Sequence, residues 1–282
     1  MNKNFDSTQI DYFLNLLQTA KDEVSIESYI YIKNILNSIE FPIPITIYAK
    51  GTKFIRNRVH REDEILFEKV DQLSYRQDIQ NIKNFGRANE PGQSVFYCAD
   101  NDILSFVETS HIAREQKEKD FEYITTGIWV STEDIIAVSL LTNDDIKGQH
   151  TEIDESSKSF ENLINTQNDE SASAVGRLFQ FLSKEFSRVA EGNSNHYKIT
   201  TAFANYIFDS VEKADGILYP STLYKTEGFN FAFKPEVVDN KMQFYAAQRI
   251  KMQNMGDKKY VETDKIESAI HQTKDNIIHW LK

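Results

Sequence analysis

A glycine turn, an arginine, a strand and a helix follow one another in residues 85–110, and this order constrains the fold more than any other part of the chain. Gly86 permits backbone conformations that are closed to other residues, and further turn-forming residues follow it. Arg87 is therefore predicted to lie on a structured loop, where an arginine is a candidate anion ligand. Taken alone, such an arginine is more often part of the solvated surface.

The strand of this stretch is predicted over Ser94–Ala99, which is rich in β-branched and aromatic residues. Tyr97 lies near its end. The adjacent Cys98 is interpreted as a small hydrophobic residue and not as a nucleophile, because it sits inside an apolar strand.

The helix that follows carries one carboxylate. Asp100 or Asn101 is predicted to cap it. Glu108 lies beside the apolar stripe of this helix, where a carboxylate is not an obvious choice for solubility. The stripe consists of Ile103, Leu104, Val107 and Ser110 to His111.

Two arginines occur on an earlier predicted strand, Lys53–Val59, in which side chains alternate between two faces. Phe54, Arg56 and Arg58 share one face, and Ile55, Asn57 and Val59 share the other. The arginine face is either an exposed edge or an anion site.

A serine follows a late predicted strand in Asp215–Thr222. The strand covers Ile217–Tyr219 and ends at Pro220. It places Ser221 on a loop, where a hydroxyl that contacts a ligand is often found.

Together these segments resemble the RES domain family, whose name records an arginine, a glutamate and a serine. The likeness runs from about residue 50 to residue 250, and the run GRANEPGQSVFYCAD to VET is its most specific part. The residues that carry it are Arg56 or, as the weaker alternative, Arg58, followed by Gly86, Arg87, Asn89, Tyr97, Glu108 and Tyr219 to Ser221.

The resemblance implies an α/β (α+β) fold similar to ADP-ribosyltransferases, with a split, largely antiparallel mixed sheet and flanking helices. It implies cleavage of the nicotinamide glycosidic bond of NAD+ by hydrolysis or phosphorolysis, with NAD+ as substrate and no resident cofactor. The implied catalytic residues are Glu108, Arg56, Tyr97 and Ser221. The implied NAD+-binding residues are Arg56, Arg58, Arg87, Asn89, Tyr97 and Ser221.

The same resemblance leaves the biological role open. Some family members transfer ADP-ribose to a protein, and others are growth-arresting toxins with a cognate antitoxin. An ADP-ribosyltransferase with a protein target, or a non-catalytic interaction protein that keeps the fold, are the alternatives. Compact family toxins lack the N-terminal extension and the polar insertion of this chain, which counts against the toxin role but not against the chemistry.

The implied chemistry suits the residue types. Cleavage passes through an oxocarbenium-like centre that a carboxylate such as Glu108 can stabilise. The leaving pyridine is already positive, so no strong general acid is needed. Arginines such as Arg56 and Arg87 suit a pyrophosphate, and Tyr97 can stack on nicotinamide or ribose.

Other standard sites are absent from the sequence. It contains no G-x-G-x-x-G turn, Walker A loop or H-E-x-x-H motif, and its 6 histidines do not cluster at metal-binding spacing. Ser221 also lacks the G-x-S-x-G elbow of serine hydrolases. A dinucleotide fold of the Rossmann type and a metal site are therefore not expected.

The composition narrows the compartment and the partners. A net charge of −11 disfavours nucleic acid and membrane surfaces. With 1 cysteine and an opening segment without a signal-peptide core, a cytoplasmic protein is expected. The longest apolar run, Ile135–Leu141, is too short to span a membrane. A homo-oligomer is left open.

The chain is predicted to comprise an N-terminal helical extension, residues 1–45, and a RES-type catalytic domain, residues 46–282, with a polar insertion around 142–172. The extension contains two amphipathic helices, one from Asp6 or Ser7 to about Thr19 and one over Val24–Ile39. They form a hairpin that packs on the catalytic domain or, as the less favoured alternative, serves as a docking module.

The remaining pattern predicts further elements. An extended linker is expected over Phe41–Tyr48 because prolines interrupt it. Strands are expected over Tyr123–Val130, Ile135–Leu141, Phe229–Lys234 and Met242–Arg249, with a turn at Asp239 and Asn240. Helices are expected over residues 157–163, Ala174–Ala190, Tyr197–Val211 and Asp264–Leu281.

Overall fold

The computed structural model divides the chain into two compact units. The first comprises Met1–Ile47, Asp78–Ser94 and Ile136–Glu227, and the second comprises Tyr48–Gln77, Val95–Ile135 and Gly228–Lys282. The structure describes residues 6–21, 23, 25–38, 43–61, 64, 66–115, 121–141, 161–162, 164–188, 194–221, 228–257, 259–270 and 275–281.

Nine strands and seven helices occur among the described residues. The helices are α1 (Ser7–Ala20), α2 (Ile26–Asn37), α3 (Asp102–Thr109), α4 (His111–Glu115), α5 (Asp169–Phe186), α6 (Lys198–Ser210) and α7 (Pro235–Lys241). The strands are β1 (Ile45–Tyr48), β2 (Lys53–Val59), β3 (Phe96–Ala99), β4 (Phe121–Ser131), β5 (Ile135–Ser139), β6 (Gly216–Pro220), β7 (Phe229–Phe233), β8 (Met242–Asn254) and β9 (Tyr260–Glu267). Mixed strand pairing with helices confirms the predicted α/β class.

The first unit is mainly helical. Helix α1 packs on α5, and α2 packs on α6. The predicted cap of α1 is confirmed, since Asp6 Oδ1 accepts a hydrogen bond from the Thr8 amide at 2.9 Å. The inner side of α1 buries Ile10, Phe13, Leu14, Leu17 and Ala20.

Polar contacts fasten the two N-terminal helices to their neighbours. Arg177 Nη2 on α5 donates to both carboxylate oxygens of Asp11 on α1, at 2.8 and 2.7 Å. Lys198 at the start of α6 is buried, and its Nζ donates to the Ser25 carbonyl at the N-cap of α2. The hairpin is thus packed along its length within this unit.

The strands of the first unit follow the order β1-β5-β6. Strands β5 and β6 are parallel, with Val138 opposite Ile217. The predicted linker over Phe41–Tyr48 ends in the edge strand β1. This difference has a local cause, because both prolines of the segment precede β1 and leave its amides free to pair.

The second unit contains six strands in the order β7-β3-β2-β4-β8-β9. Helix α3 packs on β2, β3 and β7. Below α3 and α4 lies a core cluster that β4 and β8 complete, formed by Phe106, Val107, Ile112, Ile124, Ile250 and Met252. This packing orients the face of α3 that bears the carboxylate.

Two predictions for the C-terminal part are wrong. The expected turn at Asp239 and Asn240 lies in α7, because Pro235 occupies the first position of a helix, where its fixed φ is favourable. The expected helix over Asp264–Leu281 is replaced by β9, which pairs with the outer side of β8. The long β8 requires a partner, and this tertiary demand overrides the local pattern.

The predicted insertion lies largely outside the described residues, since these exclude 142–160 and 163. The predicted helix over Ala174–Ala190 begins earlier, at Asp169, where Asn168 Oδ1 accepts from the Ser171 amide at 2.8 Å. Among the helices that the structure describes, none is long and apolar enough to cross a membrane.

Candidate functional site

Glu108 lies in the last turn of the short helix α3. Asn101 caps this helix, because its Oδ1 accepts a hydrogen bond from the Leu104 amide at 2.8 Å. Leu104 and Val107 are buried as predicted, but Ile103 is 61% exposed, so it does not belong to the inward stripe. Glu108 is partly buried, and its Oε1 accepts a hydrogen bond from Asn230 Nδ2 at 3.1 Å.

Tyr97 lies on the same sheet face as the partner of Glu108. In the antiparallel pair of β3 and β7, Ala99 is opposite Asn230 and Tyr97 is opposite Ala232. Directly opposed side chains share a face, as do alternate residues of one strand. Tyr97, Asn230 and the carboxylate of Glu108 therefore belong to the side of the sheet that α3 covers.

Asn57 adds an unsatisfied polar group to this side. The Ser105 hydroxyl of α3 accepts a hydrogen bond from the Asn57 backbone amide at 2.9 Å, which joins the helix to β2. The side-chain Oδ1 of Asn57 is buried and has no hydrogen-bond partner among the described residues. A buried acceptor in this condition is uncommon in proteins, and a bound ligand or water is one way to satisfy it.

The start of α3 is fixed by a close backbone approach. Asp100 Oδ1 accepts a hydrogen bond from the Phe229 amide at 3.1 Å. The preceding residue, Gly228, has φ of +153°, and a Cβ there would lie 2.5 Å from Asp100 Oδ1. A larger residue at this position would be strained and would have to displace the side chains of Asp100 and Asn101, so glycine is favoured at Gly228.

Arg56 lies on the opposite face of the sheet. Its neighbour Ile55 is opposite Ala99, which places Ile55 on the α3 side and Arg56 on the other. Arg56 Nη1 donates to the carbonyl of Tyr97 at 2.7 Å, and the guanidinium lies over the Phe96 ring at 5.4 Å. Burial lowers the pKa of Arg56 to about 10.

Arg58 shares the face of Arg56, as the alternation predicted. Its Nη1 donates to the Gln72 carbonyl at 2.7 Å, and the guanidinium lies 4.4 Å from the centre of the Phe67 ring. Its Nη2 is 3.4 Å from Glu64 Oε1. The structure therefore brings Tyr97 and Glu108 to one face and both arginines to the other.

Arg87 belongs to the first unit, where it lies at the C-terminal end of α5. Its Nη1 donates to the carbonyls of Phe186 and Arg188, the second at 2.8 Å. The guanidinium also lies over the Tyr197 ring at 5.0 Å. A cation at a helix C-terminus is favoured by the helix dipole and by the unpaired terminal carbonyls.

Asn89 and Ser221 are also in the first unit. Asn89 closes the turn around Arg87, since its carbonyl accepts from the Gly86 amide at 2.9 Å and its Nδ2 donates to the Glu90 carbonyl at 3.1 Å. Ser221 follows β6 directly and is fully buried. The sequence predicted a loop for this serine, and residues 222–227 lie outside the described part of the chain.

Two other titratable side chains of the second unit, Cys98 and Glu122, are buried. Burial raises the pKa of the Cys98 thiol well above its usual value, although Arg56 acts in the opposite direction. Glu122 on β4 is buried, and its carboxylate accepts hydrogen bonds from the Ser110 hydroxyl at 2.8 Å and from the His111 amide at 3.1 Å, at the start of α4. No group of residues that could hold a metal ion occurs in the described parts of the chain.

The sequence interpretation did not include Asn230 and Asn57 among the candidate site residues. Both are polar side chains inside otherwise apolar or alternating strands, FNFAF and KFIRNRV, and both are buried. That signal is visible in the sequence, because a buried asparagine in a strand requires a partner. The identity of the partner is not visible, since Asn230 and Glu108 are 122 residues apart.

Comparison with known proteins assigns the chain to a family. The family model of the RES domain matches residues 58–252, which is more than half of the chain. Arg58 is the first matched residue, and Arg56 lies just before the match. No curated protein and no solved structure matches the chain. The chain therefore belongs to the RES domain family, and this membership is consistent with an NAD-related, toxin-like function.

Proposed function

We propose that this protein consumes NAD+ by cleaving the bond between nicotinamide and ribose, with Glu108 as the catalytic carboxylate. NAD+ is the substrate in this proposal, and no resident cofactor is required. The observation that carries it is the carboxylate of Glu108, oriented by Asn230 on the sheet face of Tyr97 in a RES family chain. The unsatisfied Oδ1 of Asn57 on the same side offers a further acceptor to a ligand.

In the proposed reaction the bond from the anomeric carbon to the pyridinium nitrogen breaks. Its electron pair stays with the nitrogen and neutralises nicotinamide, while positive charge develops on the ribose ring. The carboxylate of Glu108 stabilises that charge. The Nδ2 group of Asn230 holds the carboxylate in place, so that little reorganisation is needed when the charge appears.

The other residues have proposed binding roles. Tyr97 offers an aromatic face for nicotinamide or ribose and a hydroxyl for a hydrogen bond. The RES resemblance assigns NAD+ contacts to Arg87, Asn89 and Ser221. It also assigns one to Arg56 or Arg58. Arg56 has a second means of action, because it binds the carbonyl of Tyr97 and so fixes the strand that carries this side chain.

The acceptor of ADP-ribose decides between the finer versions of the proposal. With water the product is ADP-ribose, and with inorganic phosphate it is ADP-ribose phosphorylated at the anomeric carbon. With a protein acceptor it is an ADP-ribosylated protein. Purified protein is incubated with NAD+ labelled in the adenylate part, with and without phosphate and with a cell extract. Nicotinamide release and the fate of the label are followed by chromatography. Absence of nicotinamide release under all three conditions would refute the proposal.

A toxin role has a separate test. Overproduction of the parent in bacteria is expected to arrest growth and deplete NAD+, and Glu108→Gln is expected to do neither. Co-production of a cognate antitoxin would restore growth. Arrest by Glu108→Gln with intact NAD+ would favour the interaction protein that keeps the fold without catalysis.

A further inference from the structure

The N-terminal helix α2 contacts the loop that carries Arg87. Tyr29 on α2 is 4% exposed, and its hydroxyl donates to Glu90 Oε2 at 2.6 Å. Its ring meets the Phe85 ring edge to face, with 4.9 Å between centroids. These contacts hold Phe85, directly before the loop of residues 86–93, and Glu90 within it. Helix α2 precedes the region matched by the RES family model.

A closed ring of hydrogen bonds joins α2, this loop and α6. Asn205 Nδ2 on α6 donates to the Tyr29 hydroxyl at 3.0 Å, and Gln93 Nε2 donates to Asn205 Oδ1 at 2.6 Å. Gln93 Oε1 accepts from the Glu90 amide at 2.9 Å, which closes the ring. Burial and the hydrogen bond to Glu90 raise the pKa of Tyr29, so its hydroxyl remains a donor at neutral pH.

Further hydrogen bonds restrain the loop itself. The Thr201 hydroxyl of α6 donates to the Gly86 carbonyl at 2.6 Å, directly before Arg87. The amides of Gly86, Gly92 and Gln93 are bonded to the carbonyls of Asn89, Ile82 and Glu90 at 2.9, 2.8 and 3.1 Å. Removing one member of a closed ring leaves a buried polar partner unsatisfied, so the remaining bonds weaken together.

We infer that Tyr29 is a positioning residue for the reaction, through which the N-terminal helices hold the Arg87 loop in the conformation that binds NAD+. This inference rests on the proposed function. It gives the extension a role in the activity of this chain, in addition to covering α5 and α6. Tyr29 touches Glu90 and Asn205 and acts on the ligand only through the loop.

The test replaces Tyr29 by phenylalanine, which keeps the ring and removes the hydroxyl. The matched control is Tyr31→Phe, two residues along the same helix and 48% exposed. Amide hydrogen exchange of residues 86–93 is expected to accelerate about tenfold in Tyr29→Phe and to stay unchanged in Tyr31→Phe. The KM for NAD+ is expected to rise about tenfold with kcat unchanged, because only the binding loop is loosened.

A second variant guards against a general loss of structure. Glu90→Gln keeps an acceptor oxygen for Tyr29, so its exchange is expected to lie between those of the parent and Tyr29→Phe. Exchange in Tyr29→Phe equal to that in the control would overturn the inference, and so would faster exchange with an unchanged KM. If the parent releases no nicotinamide while Tyr29→Phe still exchanges faster, the proposed function is refuted. The role of Tyr29 in holding the loop is then still supported.

Discussion

The two faces of the sheet in the second unit hold their polar side chains in different ways. On the α3 face, Glu108 has a side-chain partner on β7 at 3.1 Å, and Asn57 has an unsatisfied oxygen. On the other face, Arg56, Arg58 and Arg249 lie over the rings of Phe96, Phe67 and Tyr123, at 5.4, 4.4 and 4.1 Å. The Nε atoms of Arg56 and Arg249 are also buried without a hydrogen-bond partner among the described residues.

This difference indicates that the α3 face carries the proposed chemistry and that the arginine face supports the sheet. Glu108 presents a carboxylate on the α3 face that a neutral amide orients, whereas the guanidinium groups of Arg56 and Arg58 each bind a carbonyl and lie over an aromatic ring. Strand alternation alone produces the separation, because neighbouring residues of β2 point to opposite sides. Changes on the α3 face are therefore expected to affect turnover, and changes on the arginine face are expected to affect stability.

The largest expected effect is that of Glu108→Gln on turnover. The substitution keeps size and hydrogen bonding but removes the charge that an oxocarbenium-like centre requires. Nicotinamide release is expected to slow by about 10²-fold or more, with NAD+ binding and melting temperature close to those of the parent. Single-turnover assays and calorimetric titration measure the two parts.

The matched control for this carboxylate is Glu122→Gln. Glu122 accepts hydrogen bonds from Ser110 and His111 at the start of α4, so its change is expected to lower stability and to leave the rate per folded molecule unaltered. A rate for Glu108→Gln within a few-fold of the parent would move the catalytic carboxylate elsewhere. A large rate loss in Glu122→Gln alone would identify it as the alternative.

On the arginine face, Arg56→Ala is expected to lower the free energy of unfolding by about 2 kcal/mol. The change removes a charge-assisted hydrogen bond to Tyr97 and a contact with Phe96. Urea denaturation measures the loss. The RES resemblance further predicts weaker NAD+ binding, and a KM equal to that of the parent would restrict Arg56 to its structural role.

Arg58→Ala is expected to cost less, about 1 kcal/mol, because its side chain is more open to solvent. Its ion pair with Glu64 is 3.4 Å long and 35% of the arginine side chain is exposed, so solvent screens it. The same urea titration compares the two variants. A stronger effect on NAD+ binding from Arg58→Ala than from Arg56→Ala would make Arg58 the family arginine.

Local features of this unit could be predicted from the sequence. The alternation of β2 and the Asn101 cap of α3 depend on residues only a few positions apart, so their physics is contained in short segments. The α3 face could not be predicted in the same way. Both faces of β2 bear polar residues. Only the packing of helix α3 against the sheet decides on which side of the sheet Glu108 lies.

Non-local partners account for what the sequence did not reveal. The loop position of Arg87 was predicted, but its contacts at the end of α5, with residues 99 and 101 positions away, were not. Its role as an anion ligand stays a prediction. The strand β9 exists because β8 offers it an edge, which a helix-like local pattern does not reveal. In both cases the partner is distant in sequence, so local propensity had no information about it.

The smallest expected effect is a loss of stability in mild acid from His60, which follows β2 on the arginine face. Its Nε2 is 2.7 Å from Thr125 Oγ1 and its Nδ1 is 3.3 Å from the Glu64 carbonyl, and its ring stacks on Phe67. Burial lowers the pKa of His60, the hydrogen bond to Glu64 opposes this, and the charges of Arg249 and Arg58 add to the lowering.

Because the folded pKa of His60 lies below that of the unfolded chain, the unfolded state binds the proton first as the pH falls. Its contribution to stability is therefore present above the ordinary histidine pKa of about 6.5 and is lost as the pH falls through the folded value. Melting temperatures from pH 8 downward are expected to decline less in His60→Gln than in the parent. The exposed His111→Gln is the control and should follow the parent. Identical acid profiles for His60→Gln and the parent would show that protonation of His60 does not destabilise the folded protein. The contrast between the two faces would then rest on Glu108 alone.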